Sequence, residues 1–272
     1  MTMTLFVDDR FDSDDSFYRQ DARGGASTHV SGAGGEEFFH ILEQKLSKPR
    51  FDGMLQRTRL DEMIEKSLSQ FGATIISGRS GTGKTALAAN FANTRKRVAW
   101  YSIESPDIEW KVFSRYFAAS LRRTASRSEC GYTFDEACES FSKNAISQFL
   151  SDIFSKIGAE ADGEPILIVF DDLHHVFDAP WFGDFFNLLL HSLRENVHLL
   201  LLCRSRPPNP LWRLRSKQML NVIDEKLLAF NREETTSFIA QSGLSEKTAQ
   251  KVYADSFGRI AKVKQLAGRL SS

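Results

Sequence analysis

The stretch ATIISGRSGTGKTALAAN, residues 73–90, sets a short apolar run against a glycine-rich turn and then a helix-forming segment. Within it, Gly78-Arg79-Ser80-Gly81-Thr82-Gly83-Lys84-Thr85 fits GxxxxGK[ST] at every fixed position. At average residue usage, a chance match in a chain of this length is on the order of one in a hundred. The flanking strand and helix patterns supply the context that the motif needs. Each residue type has a physical reason. Glycines let backbone N–H groups turn inward on phosphate oxygens with no Cβ in the way. The following helix presents the positive end of its dipole to the same anion. Lys84 brings a mobile charge to β- and γ-phosphates, and Thr85 a hydroxyl oxygen to Mg²⁺.

Outward from this loop, the pattern is α/β. Strands are expected at RVAWYSI (97–103), PILIVF (165–170) and VHLLLLC (197–203). Helical spacing appears in FFHILEQKL (38–46, before Pro49), WKVFSRYFAASLRR (110–123) and the segment 134–157. Near-continuous apolar strands separated by helices imply a parallel sheet covered on both faces. After residue 225 the strands nearly stop, and three short helices are expected across 231–243, 245–258 and 259–270. The expected organisation is a flexible acidic, Gly-rich tail over 1–35, an α/β nucleotide-binding domain over 36–225, and a small helical subdomain over 226–272. No fixed-period repeat is visible.

Two further places carry candidate chemistry. ILIVFDD (166–172) is an apolar strand ending in two carboxylates, aimed at the crevice where open α/β sheets hold ligands. Asp171 is placed to hold Mg²⁺; Asp172 is placed to orient or deprotonate an attacking water. An aspartate there is one methylene shorter than the glutamate of many hydrolases, which points to slow turnover. His174 and His175 come next, without metal-ligand spacing, and read as structural or supporting residues, with a phosphate- or water-sensing role as the alternative. Arg204 lies just past the strand 197–203, where an arginine can sense a terminal phosphate. Arg206, Arg213, Arg215 and Lys217 form a local basic cluster: a solvated face, or a contact with a neighbouring subunit or nucleic acid. Pro207, Pro208 and Pro210 stop the strand and stiffen the segment after it.

The chain's 35 Lys+Arg balance its 35 Asp+Glu, so general polyanion coating is disfavoured. Three cysteines, Cys130, Cys138 and Cys203, are too few and too scattered for a disulfide framework or a zinc site. The acidic N-terminus lacks a signal-peptide pattern, and VHLLLLC is far too short to cross a bilayer. A soluble cytoplasmic protein is expected.

Several segments together resemble the nucleotide-binding domain of STAND-class P-loop ATPases, especially the MalT-like (LuxR-type) transcriptional regulators. They are KPRFDGMLQRTRL (48–60), residues 97–123 with Trp100 and Trp110, FDDLHHVFD (170–178), CRSRPPNPLWRLRSKQML (203–220) and LLAFNREETTSFI (227–239). The resemblance covers roughly residues 48–272, judged by motif order. It implies a P-loop NTPase fold and an ATP-driven switch, in which ADP holds a closed monomer and ATP with an inducer favours self-association. Carried over, Gly78 to Thr85 bind phosphates, Asp171 serves Mg²⁺, Arg204 senses the γ-phosphate, and Arg57 lies by the base. Two departures concern the base: Gln56 stands where the family often has glycine, and Ile260 replaces a proline that touches adenine. The family's DNA-reading domains have no counterpart in these residues, so direct DNA reading is not expected.

The expected function is a regulatory switch that binds ATP or ADP and hydrolyses slowly, with itself or a separate effector as partner. The alternatives are an AAA+-like ATPase motor, a small-molecule kinase, and a truncated, non-hydrolysing nucleotide-binding module.

Overall fold

Strands form where the apolar runs predict them. β1 (Ala73–Ser77), β2 (Arg97–Ser102), β3 (Ile166–Asp171) and β4 (Val197–Cys203) are joined by a short β5 (Asn221–Ile223). The structure is a computed structural model that describes residues 40–51, 55–124, 139–160 and 164–271. The expected tail at 1–35, Cys130, Cys138 and the first residues of the expected helix 134–157 lie outside the described residues. Residues Ile41–Ser272 belong to one compact unit.

All pairings are parallel, in the order β2-β3-β4-β1-β5. The helices are α1 (Thr58–Phe71), α2 (Lys84–Asn93), α3 (Trp110–Arg122), α4 (Lys143–Glu160) and α5 (Phe182–Ser192). After them come α6 (Asn209–Ser216), α7 (Glu225–Leu228), α8 (Arg232–Gln241), α9 (Glu246–Ser256) and α10 (Ile260–Ser271).

Every residue of β3 is buried, and its alternation explains why. Leu167 and Val169 join Leu60 and Ile64 of α1 and Leu87 and Phe91 of α2 in one cluster. Phe170 points the other way, with its ring 5.9 Å from Phe113, 5.5 Å from Phe117 and 5.8 Å from Phe186. A strand with apolar residues on both faces can only be a central one. Burying each such side chain contributes roughly 1.5–3 kcal/mol.

The C-terminal helices have their own core: Phe230, Ile239, Val252, Ile260, Val263 and Ala267. Leu228, just before them, packs in the sheet-side cluster instead. α8 starts with a capping box, in which Asn231 accepts from the Glu234 N–H and Glu234 accepts from the Asn231 N–H.

One expectation fails. Helical spacing over 38–46 yields, in its described part, only a single 3₁₀ turn at Glu43–Leu46. Leu42, on the expected apolar face, is half exposed, while Lys45 is buried. Lys45 reaches 2.5 Å to the fully buried Asp107 and lies 4.4 Å from the Tyr116 ring centre. An interior ion pair, with the buried Leu46 beside it, anchors this segment.

Candidate functional site

β4 lies between β1 and β3, so the segments leaving these three strands emerge side by side. They bear the glycine-rich loop, the two aspartates and Arg204. The loop is fastened to β4, as the Gly78 N–H donates to the Cys203 carbonyl at 3.1 Å. It then turns at Gly83, whose φ of 81° is open to glycine and strained for other residues. α2 begins at the next residue, leaving its first amides free of intrahelical partners.

Lys84 is buried, and its Nζ donates to the carbonyls of Gly78 at 2.6 Å and Arg79 at 2.9 Å. Burial lowers its pKa, opposed by the nearby Asp172 carboxylate. Thr85 Oγ1 donates to Asp171 Oδ1 at 3.1 Å, and the Asp172 N–H donates to the same oxygen at 3.0 Å. Burial first, and the Asp172 charge second, push the Asp171 carboxyl up to about 6. A hydroxyl beside a carboxylate is a hard-oxygen donor set suited to Mg²⁺. A divalent cation there would also lower the Asp171 pKa again by favouring its carboxylate. The residues therefore fit the ion.

Asp172 adopts a left-handed conformation, with φ 55°. Both its oxygens are engaged by Arg204, Nε to Oδ1 at 3.2 Å and Nη2 to Oδ2 at 3.0 Å. This fork raises the Arg204 pKa. His174 Nδ1 is buried with no hydrogen-bond partner, 3.8 Å from Asp172 Oδ1. Its ring lies 4.3 Å from that of His175, and burial, then the His175 charge, lowers its pKa.

A cleft of about 970 Å³ opens beside the loop. Arg79, Ser80, Gly81, Thr82 and Gly78 line it, with Arg204 on a neighbouring wall. Lys84, Thr85, Asp171 and Asp172 do not line the cleft; they sit beside it, tied to the loop and to Arg204 by these hydrogen bonds. Arg57 is not a lining residue either. Its guanidinium is buried against Glu234, at 3.0 Å, and donates to the carbonyls of Leu228 at 2.9 Å and Ala229 at 3.2 Å. Leu228 and Ala229 do line the cleft, so Arg57 props its wall from behind. Gln56 is exposed.

Sequence patterns missed Glu225, Ala261 and Phe257, while Ile260 was marked only by the resemblance. Glu225 accepts from the Arg79 N–H at 3.0 Å and from Arg79 Nη2 at 2.8 Å, tying the loop to α7. Ile260 and Ala261 pack on the loop itself. A Cβ at Gly83 would lie 3.1 Å from Ile260 Cδ1, and one at Gly81 would lie 3.3 Å from Ala261 Cβ. Phe257 completes the rim. No local signal marks Glu225; the closeness of α10 to the loop explains why the loop needs glycines where α10 touches it.

Comparison with known families matches residues 55–202 to the family described as AAA ATPase domain. Among solved structures, a Walker-type ATPase of Pyrococcus abyssi superposes with a TM-score of 0.56 at 12% identity, over 82% of this chain and 69% of that one. A variant of Thermotoga maritima RuvB gives 0.43 at 11% identity, over 79% of this chain and 61% of that one. Domain III of the Thermotoga maritima replication initiation protein DnaA gives 0.38 at 14% identity, over 78% and 79%. The first supports a shared fold; the other two superpose too loosely to carry an argument. No helix among the described residues is long and apolar enough to cross a membrane.

Proposed function

Because this chain belongs to the AAA ATPase domain family, we propose that it is a nucleotide-dependent regulatory switch that binds ATP or ADP and hydrolyses ATP slowly. The observation that carries this reading is the two-pronged ion pair between Arg204 and Asp172. One guanidinium has two claimants, the Asp172 carboxylate and the terminal phosphate of ATP. While it holds Asp172, both oxygens that would take a proton from water are engaged as acceptors. When it turns to a γ-phosphate, the segment after β4 moves relative to the end of β3. ADP offers no such claimant, so the two nucleotides favour different arrangements. This is the behaviour of the STAND class, whose motifs the chain resembles.

In this reading the amides from Gly78 to Thr85 hold the phosphates, and Lys84 moves from the loop carbonyls to the β- and γ-oxygens. Thr85 and Asp171 would hold Mg²⁺, which when bound neutralises charge on those oxygens. The partners are a second copy of the chain or a separate effector protein, in the cytoplasm.

Turnover decides between a switch and a motor. We expect hydrolysis well below the typical enzyme range of ~1–10³ s⁻¹, and ADP released when the purified protein is denatured. A rate within that range would overturn the switch. Arg204→Ala should abolish ATP-over-ADP discrimination while ADP affinity stays; an equal fall for ADP would refute the sensor role. Asp171→Asn should weaken nucleotide binding with Mg²⁺ present and leave Mg²⁺-free binding nearly unchanged. Titrations with and without chelator check this, and equal losses would contradict the metal role.

A further inference from the structure

Phe257 is the most exposed large apolar side chain among the described residues, at 78%, and it lines the cleft beside the loop. Its backbone is left-handed, with φ 52°, at the C-cap of α9. That position favours glycine or asparagine, and a bulky residue there is strained. Core packing does not offset the strain, because the ring is largely in solvent. Strain held at the rim of a cleft, with no structural return, points to a role in what the cleft binds.

The surrounding turn holds the ring's base in place. The Phe257 N–H donates to the Tyr253 carbonyl, and the Phe230 N–H to the Gly258 carbonyl, both at 2.8 Å. Gly258 N–H donates to Ser256 Oγ at 3.2 Å. A Cβ at Gly258 would come within 2.0 Å of the Phe230 carbonyl oxygen, so two backbone segments meet there with no slack. Three residues after Phe257, Ile260 packs against Gly83 of the phosphate loop. The turn that carries Phe257 is thus registered on the loop by direct contact. Ile260, where the resemblance expects a base-contacting proline, spends its side chain in that packing and in the core of the C-terminal helices.

The cleft has two chemical characters. The loop, Arg204, Arg206, Lys226 and Arg259 give the lining N–H groups and positive charge, beside the carboxylates of Asp224 and Glu225, while Leu228, Ala229, Ile260 and Phe257 give it apolar surface. A nucleotide has the same two characters, a polyanion and a flat aromatic base. We propose that Phe257 is the stacking platform for the base of the nucleotide whose phosphates the loop holds. This rests on the nucleotide-binding reading and adds a residue that fixes affinity through the base. Stacking uses the π-face common to all bases, so Phe257 contributes affinity without choosing between adenine and guanine.

Calorimetry on the full chain with two probes, ATP and inorganic tripolyphosphate, each with Mg²⁺, tests this. Tripolyphosphate reports the phosphate site alone. Phe257→Ala and Phe257→Gly should lower ATP affinity by roughly 5- to 100-fold and leave tripolyphosphate affinity unchanged. Phe257→Trp should preserve the preference for ATP. The glycine variant, freed of backbone strain, should melt no lower than the wild type, an outcome that a purely structural residue would not give. If the ATP-to-tripolyphosphate ratio is unchanged in the folded glycine variant, the proposal is overturned. If the same variant also loses a concentration-dependent dimer in sedimentation, the ring belongs to a contact between copies. If the wild type binds neither probe, the phosphate-loop reading fails and the stacking role with it. If tripolyphosphate binds as tightly as ATP, only the stacking role fails.

Discussion

Arg57→Ala is expected to lower the unfolding free energy by about 3 kcal/mol, toward the lower end of what breaking a buried ion pair costs. The Arg57 and Glu234 side chains are only 7% and 10% exposed. Arg57 spends its donors on both oxygens of Glu234 and on two carbonyls, and its guanidinium lies 4.8 Å from the Phe230 ring centre. Removing it takes the donor from Glu234 Oε1 and from the Leu228 carbonyl together. Arg59, at 3.2 Å from Glu234, softens the loss, which is why the lower end applies. Arg57→Lys should recover only part of the stability, because an ammonium cannot reproduce the fork. Burial, the largest single influence, works to raise the Glu234 pKa, but the hydrogen bonds from Arg57, the Asn231 N–H and Arg59, together with the Arg57 charge, hold it below the ordinary range. A depressed carboxyl contributes stability that is present above its unfolded pKa and lost as the pH falls through its folded one. Denaturant melts at neutral pH and in the acid range check both statements. The mutant should lose stability mainly at neutral pH and converge on the wild type in acid. A neutral-pH loss below about 1 kcal/mol would put the pair among surface salt bridges and remove Arg57 as the prop of the cleft wall.

How far the sequence could be read depended on whether the signal was local. ATIIS and VHLLLLC are bounded in sequence where β1 and β4 are bounded in space, because each is a largely apolar run cut off by a turn or a charge. The strand at Asn221–Ile223 escaped notice, since three residues with one buried side chain carry no period. Lys45 defeated the helix expected over 38–46 because its partner, Asp107, is 62 positions away. The phosphate loop was legible residue by residue. Its meeting with Asp171 and Arg204 depends on β4 inserting between β1 and β3, a strand order that no local pattern states. Arg57 illustrates the opposite limit. Resemblance placed it by the base, whereas its guanidinium faces Glu234 behind the wall. The Asn231-x-x-Glu234 spacing announces a helix cap, but not that the same carboxylate also receives an arginine from the other end of the domain. Phe257 left no trace in periodicity, because only its φ and its exposure distinguish it from a core aromatic.

Lys84→Ala should weaken ATP binding by roughly a hundredfold or more, with the fold retained. The side chain carries the loop's buried ammonium, and charge-assisted hydrogen bonds are worth about 1.5–3 kcal/mol each. Two phosphate groups would share it, so the summed loss reaches at least two powers of ten in affinity. The low dielectric around a residue only 6% exposed strengthens the attraction. It also lowers the lysine's pKa, so the free protein carries a cation that its surroundings do not fully stabilise. Backbone carbonyls of Gly78 and Arg79 supply partial compensation; an anionic ligand would supply more. A site of this kind is preorganised electrostatically, and ligand binding relieves it. Lys84→Met separates charge from packing, since it keeps the buried stem and removes the ammonium. It should lose affinity as the alanine variant does while melting closer to the wild type. Tripolyphosphate should lose as much as ATP, because the lost contact is to phosphate and not to the base. Should Lys84→Met bind Mg-ATP within threefold of the wild type, the glycine-rich loop would be a structural turn. The ion pair between Arg204 and Asp172 would then have no phosphate to compete with it.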